Sequence, residues 1–199
     1  MNVKQLLAIG AVAAGFTSCG LLGNTLSGGP QFSGSVGGTA PTASSYKLAL
    51  VRFTDFGTSG SDTFQAAAFA TTIRINGGTG VYSGALVPTI DLGNDNLRFY
   101  KIAVYDDKTG DDIYNTNAQN TNGERDVILA DSVNSKANGG NRFFVFAKAD
   151  TTWTSGKTLK AGWNLVTDVN KDSSTTLDVG RSDDTITQAG GFGGIDIVY

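Results

Sequence analysis

The chain has 199 residues, with 18 acidic and 15 basic side chains, a formal charge of −3, a single cysteine and no histidine. This inventory excludes an internal disulfide, Ser-His-Asp and Cys-His catalysis, and the imidazole ligands that most zinc and copper sites use. The lack of a basic cluster argues against a nucleic-acid partner. No spacing selects a catalytic carboxylate pair, so the chain is not expected to be an enzyme.

The balance of residue types also sets the fold class. Glu124 is the only glutamate, so the acidic side chains are almost all aspartate, and glycine occurs 27 times. Glutamate favours helix, whereas aspartate, asparagine and glycine favour turns. Threonine, valine and aromatic residues fill the segments between the turns, as strands prefer. The composition predicts an all-β protein.

At the N-terminus, "MNVKQ" is a short start with one lysine, and "LLAIGAVAAGF", Leu6 to Phe16, is an unbroken run of apolar and small residues. It is shorter than the roughly 20 residues that a membrane-spanning helix needs, and it matches the apolar heart of a secretory signal. The following stretch, "GFTSCG", places Phe16, Thr17 and Ser18 before the lone Cys19. That order resembles the lipobox of bacterial lipoproteins, with Phe16 where the family favours leucine. The resemblance implies removal of a signal peptide, residues 1–18, and attachment of diacylglycerol to the Cys19 sulfur, with further acylation, such as palmitate, on the freed amine. Two or more chains anchor stably, because each buried methylene adds roughly 0.8 kcal/mol.

Residues 19–31, ending in "LSGGPQ", carry glycines, a proline and no periodicity, and read as a flexible tether. A single domain is expected over residues 32–199. In "SYKLALVRF" (45–53), Tyr46, Leu48 and Leu50 alternate with Lys47, Ala49, Val51 and Phe53, which predicts a strand. "FQAAAFATTIRI" (64–75) is also read as strand, although its alanines allow a helical turn. "VYSGALVPTI" (81–90) follows. "LRFYKIAVYDD" (97–107) sets Tyr100, Ile102 and Val104 against Phe99, Ala103 and Tyr105. "RDVILADS" (125–132) comes next, and in "NRFFVFAKAD" (141–150) Phe144 and Phe146 oppose Phe143, Val145 and Ala147. "GWNLVTD", "TTLDV", "DTITQ" and "GGIDIVY" complete the series. Short strands at this spacing, separated by turn residues, point to a sandwich or barrel.

Two acidic stretches are candidate calcium sites, because calcium takes six to eight oxygens from carboxylates and carbonyls. "YDDKTGDDIYN" groups Asp106, Asp107, Asp111 and Asp112 around Gly110. "TDVNKDSSTTLD" places Asp168, Asn170 and Asp172 at alternate positions and resembles the first half of an EF-hand or dockerin loop. Ser173 stands where that motif has glycine, and Val179 where it has the terminal acid. The competing reading of both stretches is a solvated turn in which Asp and Asn bond their own backbone. Trp153 and Trp163, with Tyr100, Tyr105 and Tyr114, offer a sugar-stacking platform, though tryptophan near a strand end belongs more often to a core.

From Tyr100 onward, the strand, acidic turn and strand pattern of "YKIAVYDDKTGDDIYN" and "KAGWNLVTDVNKD" resembles the transthyretin-like or carboxypeptidase regulatory-like modules of bacterial envelope lipoproteins. The resemblance implies an antiparallel β-sandwich, Ig-like or transthyretin-like. The expectation is a lipid-anchored envelope protein on the outer side of the cytoplasmic membrane or on the outer membrane. Its role would be structural, adhesive or in assembly with an envelope protein partner. The alternative is a ligand-binding lipoprotein that takes calcium or a glycan at the acidic loops. No cofactor other than calcium is expected.

Overall fold

The computed structural model describes residues 29–53, 65–67, 69, 72–133, 141–152, 156–168, 185–188 and 190–199. Cys19, Trp153, Asn170, Asp172 and the segment "TTLDV" lie outside them. The described chain is all-β apart from one short 3-10 turn at Asn76–Gly78. Its strands are β1 (Gln31–Gly37), β2 (Lys47–Phe53), β3 (Gln65–Ala67), β4 (Ile73–Arg74), β5 (Gly80–Ala85), β6 (Leu97–Asp106) and β7 (Val127–Asp131). These are followed by β8 (Asn141–Ala147), β9 (Thr151–Thr152), β10 (Thr158–Leu159), β11 (Gly162–Asp168), β12 (Thr185–Gln188) and β13 (Phe192–Val198).

The larger sheet has β2 and β6 at its centre, paired antiparallel from Lys47 opposite Tyr105 to Phe53 opposite Phe99. Each central strand has a partner that is broken in two. On the outer edge of β2, β4 pairs with Lys47 and Leu48, and β3 pairs with Leu50 and Val51. On the other edge of β6, β7 covers Ala103 to Asp106 and β8 covers Leu97 to Tyr100. Ser132 holds this second break. Its N–H donates to the Ile102 carbonyl, its hydroxyl accepts from the Ile102 N–H and donates to the Arg142 carbonyl, and its carbonyl accepts from the Arg142 N–H. β11 and β12 complete this sheet beyond β8, while β9 and β10 form a separate small hairpin.

The smaller sheet, β13-β1-β5, packs across the larger one as the second layer of a β-sandwich. Between the layers lie Leu48, Leu50, Tyr100, Ile102, Val104, Phe144, Phe146 and Trp163 from the larger sheet, and Phe32, Val36, Tyr82, Phe192, Ile195 and Ile197 from the smaller. This is the alternation expected for β2, β6 and β8, and all three strands bury the other face as well. Phe53, Phe143, Val145 and Val166 form one outer cluster, and Ala49, Val51, Ala103 and Tyr105 another. A sheet buried on both sides reads as nearly continuous apolar sequence.

Three features depart from the sequence reading. Gln31, placed at the end of the tether on composition, opens β1, and the Pro30 carbonyl before it already accepts from Leu86 N–H. Among the described residues of 64–75, Gln65–Ala67 and Ile73–Arg74 are short strands, and Phe69 between them bridges to Leu86. The sandwich is not wholly antiparallel, since β1 and β13 run parallel, with a register shift between Phe32 and Gly34.

At that shift the backbones come close. A Cβ on Gly34 would lie 1.9 Å from the Ile195 carbonyl oxygen, which also accepts the Tyr82 hydroxyl. At Gly37 the nearest atom to such a Cβ, on Val198, is 4.0 Å away. Gly34→Ala should therefore lower the melting temperature by many degrees while Gly37→Ala changes it little, as differential scanning calorimetry would show.

Candidate functional site

The connection from β6 to β7, residues 107–126, carries the acidic stretch singled out from sequence, and it folds back over the outer face of the larger sheet. Its anchor there is Tyr114, which is 3 % exposed and meets the Tyr105 ring edge-on at a centroid distance of 5.5 Å. Laying a loop on a sheet face hides backbone N–H groups from water, and each one needs an acceptor. The aspartates supply these acceptors.

Asp106 ties the start of the loop to the segment that precedes β2. Its Oδ1 accepts from the Ser44 N–H (3.1 Å), the Ser44 hydroxyl (2.6 Å) and the Ser45 N–H (3.0 Å), while its Oδ2 meets Lys108 Nζ at 3.1 Å. Asp107 organises the first turn. Its Oδ1 accepts from Gly110 N–H at 2.7 Å and the Thr109 hydroxyl at 3.1 Å, and its Oδ2 accepts from Asp112 N–H and from Lys47 Nζ. Lys47 is 5 % exposed and also bonds Asp112 Oδ1, the oxygen that Arg74 meets at 3.4 Å. Asp112 takes φ of 65° to reach this position, in the left-handed region that aspartate tolerates better than most residues. Asp111 is exposed and bonds the Ile113 N–H, two residues on.

The four carboxylates therefore do not converge as one ligand set. Lys47 supplies a positive charge between two of them, and Asp106 is committed to the Ser44–Ser45 backbone. The residue missed from sequence is Asp126, at the far end of the loop and 3 % exposed. Its Oδ1 accepts from Lys108 N–H (3.0 Å) and Thr109 N–H (3.2 Å), and its Oδ2 from Asn115 N–H (3.1 Å). Only the strand register reveals it. Asp106 pairs with Val127, so an acid beside Val127 must lie beside the acids that end β6.

For the second acidic stretch, Asp168 is the last residue of β11, and Asn170 and Asp172 lie outside the described residues. The expected aromatic platform is not an open surface. Tyr100, Tyr105, Tyr114 and Trp163 are all buried, and Trp163 packs edge-on against Tyr100, Phe144 and Phe146 with its indole N–H donated to the Val87 carbonyl. A second buried ion pair, Lys101 with Asp131 at 2.9 Å, joins β6 to β7 on the same outer face.

Burial alone would raise the carboxyls of Asp106 and Asp107, but their donors outweigh it. The Ser44 hydroxyl and the Ser45 N–H hold Asp106 below its usual 3.8, and the Lys47 ammonium and the Gly110 and Asp112 N–H groups do the same for Asp107. For Lys47, burial lowers the ammonium, yet Asp107 and Asp112 leave it raised. No protein-family model, curated protein or solved structure matches the chain.

Two expectations follow from this geometry. Lys47→Met leaves the Asp107 charge buried without its cation and should cost about 3 to 5 kcal/mol in urea unfolding. A carboxyl lowered in the folded state adds stability above its ordinary value and loses it as pH falls through the lower, native one. The melting temperature should therefore fall steeply below about pH 4, and Asp106→Asn should flatten that acid limb while lowering stability at neutral pH.

Proposed function

We propose that the chain is a bacterial lipoprotein of the cell envelope, anchored through acyl chains on Cys19, whose β-sandwich has a structural, adhesive or assembly role. The observation that carries this reading is the order at the N-terminus: one lysine, the apolar run Leu6 to Phe16, then Thr17 and Ser18 directly before the only cysteine. The place where the sandwich starts fits it, because only a short stretch of sequence separates Cys19 from Pro30 and β1. The transthyretin-like resemblance belongs to this same reading.

A role through protein contacts agrees with where the chain places its chemistry. The charged groups of the acidic loop hold that loop on the sheet, and the rings of Tyr100, Tyr105, Tyr114 and Trp163 serve the core.

Metabolic labelling with a fatty acid tests the anchor. The wild-type chain should incorporate label and Cys19→Ala should not, accumulating as precursor or as soluble product. Label that persists in Cys19→Ala would overturn the reading. Cross-linking on intact cells followed by purification from membranes should retain an envelope protein in stoichiometric amount, and recovery of the chain alone would remove the assembly role.

A further inference from the structure

We infer that the β6–β7 loop holds a calcium ion between Asp107, Asp111 and Asp126. This ligand set differs from the one the sequence suggests, because it leaves out Asp106 and Asp112 and takes in Asp126. The inference does not depend on the lipoprotein reading.

Carboxylate oxygens of the three aspartates lie within 4.8 Å of one another. Acidic groups gather on many surfaces without a cation, and most of the oxygens here already accept N–H groups. The independent observation is Tyr105. Its side chain is fully buried beneath the loop, and its hydroxyl has no hydrogen-bond partner. A phenol buried without a partner is costly, because it has lost water and gained nothing. Tyr105 lies two residues before Asp107, and its ring meets Tyr114, whose neighbour Asn115 donates its N–H to Asp126 Oδ2. Water held by a cation at the three carboxylates supplies the missing partner.

Thr109 shows the same incompleteness. Its hydroxyl oxygen lies 3.1 Å from Asp107 Oδ1 and 3.3 Å from Asp126 Oδ1, and one proton serves only one of them at a time. Two nearly buried carboxylates thus face each other across a single hydroxyl. Charge points the same way. Six carboxylates in and beside the loop (Asp106, Asp107, Asp111, Asp112, Glu124 and Asp126) meet four cations (Lys47, Arg74, Lys108 and Arg125), which leaves two negative charges for a divalent ion to cancel.

Lys47 does not occupy this position. It lies against Oδ2 of Asp107, whereas the Thr109 hydroxyl shared with Asp126 lies at Oδ1. Calcium suits the place better than magnesium, because it accepts irregular geometry and more oxygens, and magnesium demands an octahedron and keeps its water. Three ligands already committed to the backbone predict a weak site, with Kd on the order of 10⁻⁴ to 10⁻³ M, as in extracellular modules.

Terbium chloride, titrated into the purified full-length chain in detergent, is the direct probe, because tyrosine beside a bound lanthanide sensitises its emission, and Tyr105 lies under the loop while Tyr114 belongs to it. The wild type should give sensitised emission that calcium displaces and magnesium displaces poorly. Asp111→Asn and Asp126→Asn should each weaken binding roughly tenfold or more, and Tyr105→Phe, which removes only the partner of the bound water, about tenfold. Asp150→Asn, in an exposed pair with Lys160, should change nothing. Asp111 is exposed, so its variant decides the matter even if Asp126→Asn fails to fold. Absence of sensitised emission, or emission that survives Asp111→Asn unchanged, would overturn the inference.

Discussion

The outer face of the larger sheet depends on one ammonium group. Lys47 begins β2 with its side chain on the face that β2 and β6 turn away from the smaller sheet, where Ala49, Val51, Ala103 and Tyr105 need cover. An apolar loop would cover them but would strand its own N–H groups. An acidic loop satisfies those groups and brings charge into a buried place. Lys47 resolves the conflict by pairing with Asp107 and with Asp112, which Arg74 shares, so that Asp107 can accept from Gly110 and Asp112 while Tyr114 packs on Tyr105. Removing one charge from such an arrangement costs more than the pair contributes, because what remains is a buried ion without its partner.

The same demand explains why the partner strands are broken. β2 and β6 are covered on both faces and paired along both edges, and an unbroken partner on each side would leave no chain near the outer face to fold over it. Breaking the partner of β6 at Ser132 directs the chain outward, where Val133 joins the cluster of Phe53, Phe143 and Val145. Breaking the partner of β2 lets Phe69 bridge to Leu86, beyond the end of β5 in the smaller sheet. The interruptions thus add cover outside and contact between the layers without exposing a central strand. At the break beside β6 the backbone groups are met locally, as the four hydrogen bonds of Ser132 show.

The strands legible in the sequence are those in which the pleat dominates. In β6 and β8 every second residue belongs to a different cluster, so the alternation alone assigns Tyr100, Ile102 and Val104, or Phe144 and Phe146, to one face. β1 is not legible, because Gly34 stands between Phe32 and Val36 and hides the alternation. The glycine is required there by the approach of the Ile195 carbonyl, a contact with the far end of the chain that no local pattern records. The acidic loop is legible as chemistry but not as geometry. Aspartates near a glycine mark a turn, whereas the role of Lys47 and the inclusion of Asp126 depend on strand pairings that bring residues 47, 107 and 126 together.

The two ends of the sandwich differ in what they carry. At one end, Pro30 bonds Leu86 and Val87 accepts from Trp163, so the chain enters the domain where β6 and β11 begin. At the other, Tyr199 bonds Gly37 and Gly78, Ile75 bonds Tyr46, and Lys47 meets the acidic loop. Strand β6 runs between these ends and spans about 30 Å at the usual rise per residue. Under the proposed anchor at Cys19, the lipid joins the chain on the side of the entry end, and the acidic loop meets Lys47 at the opposite end of β6.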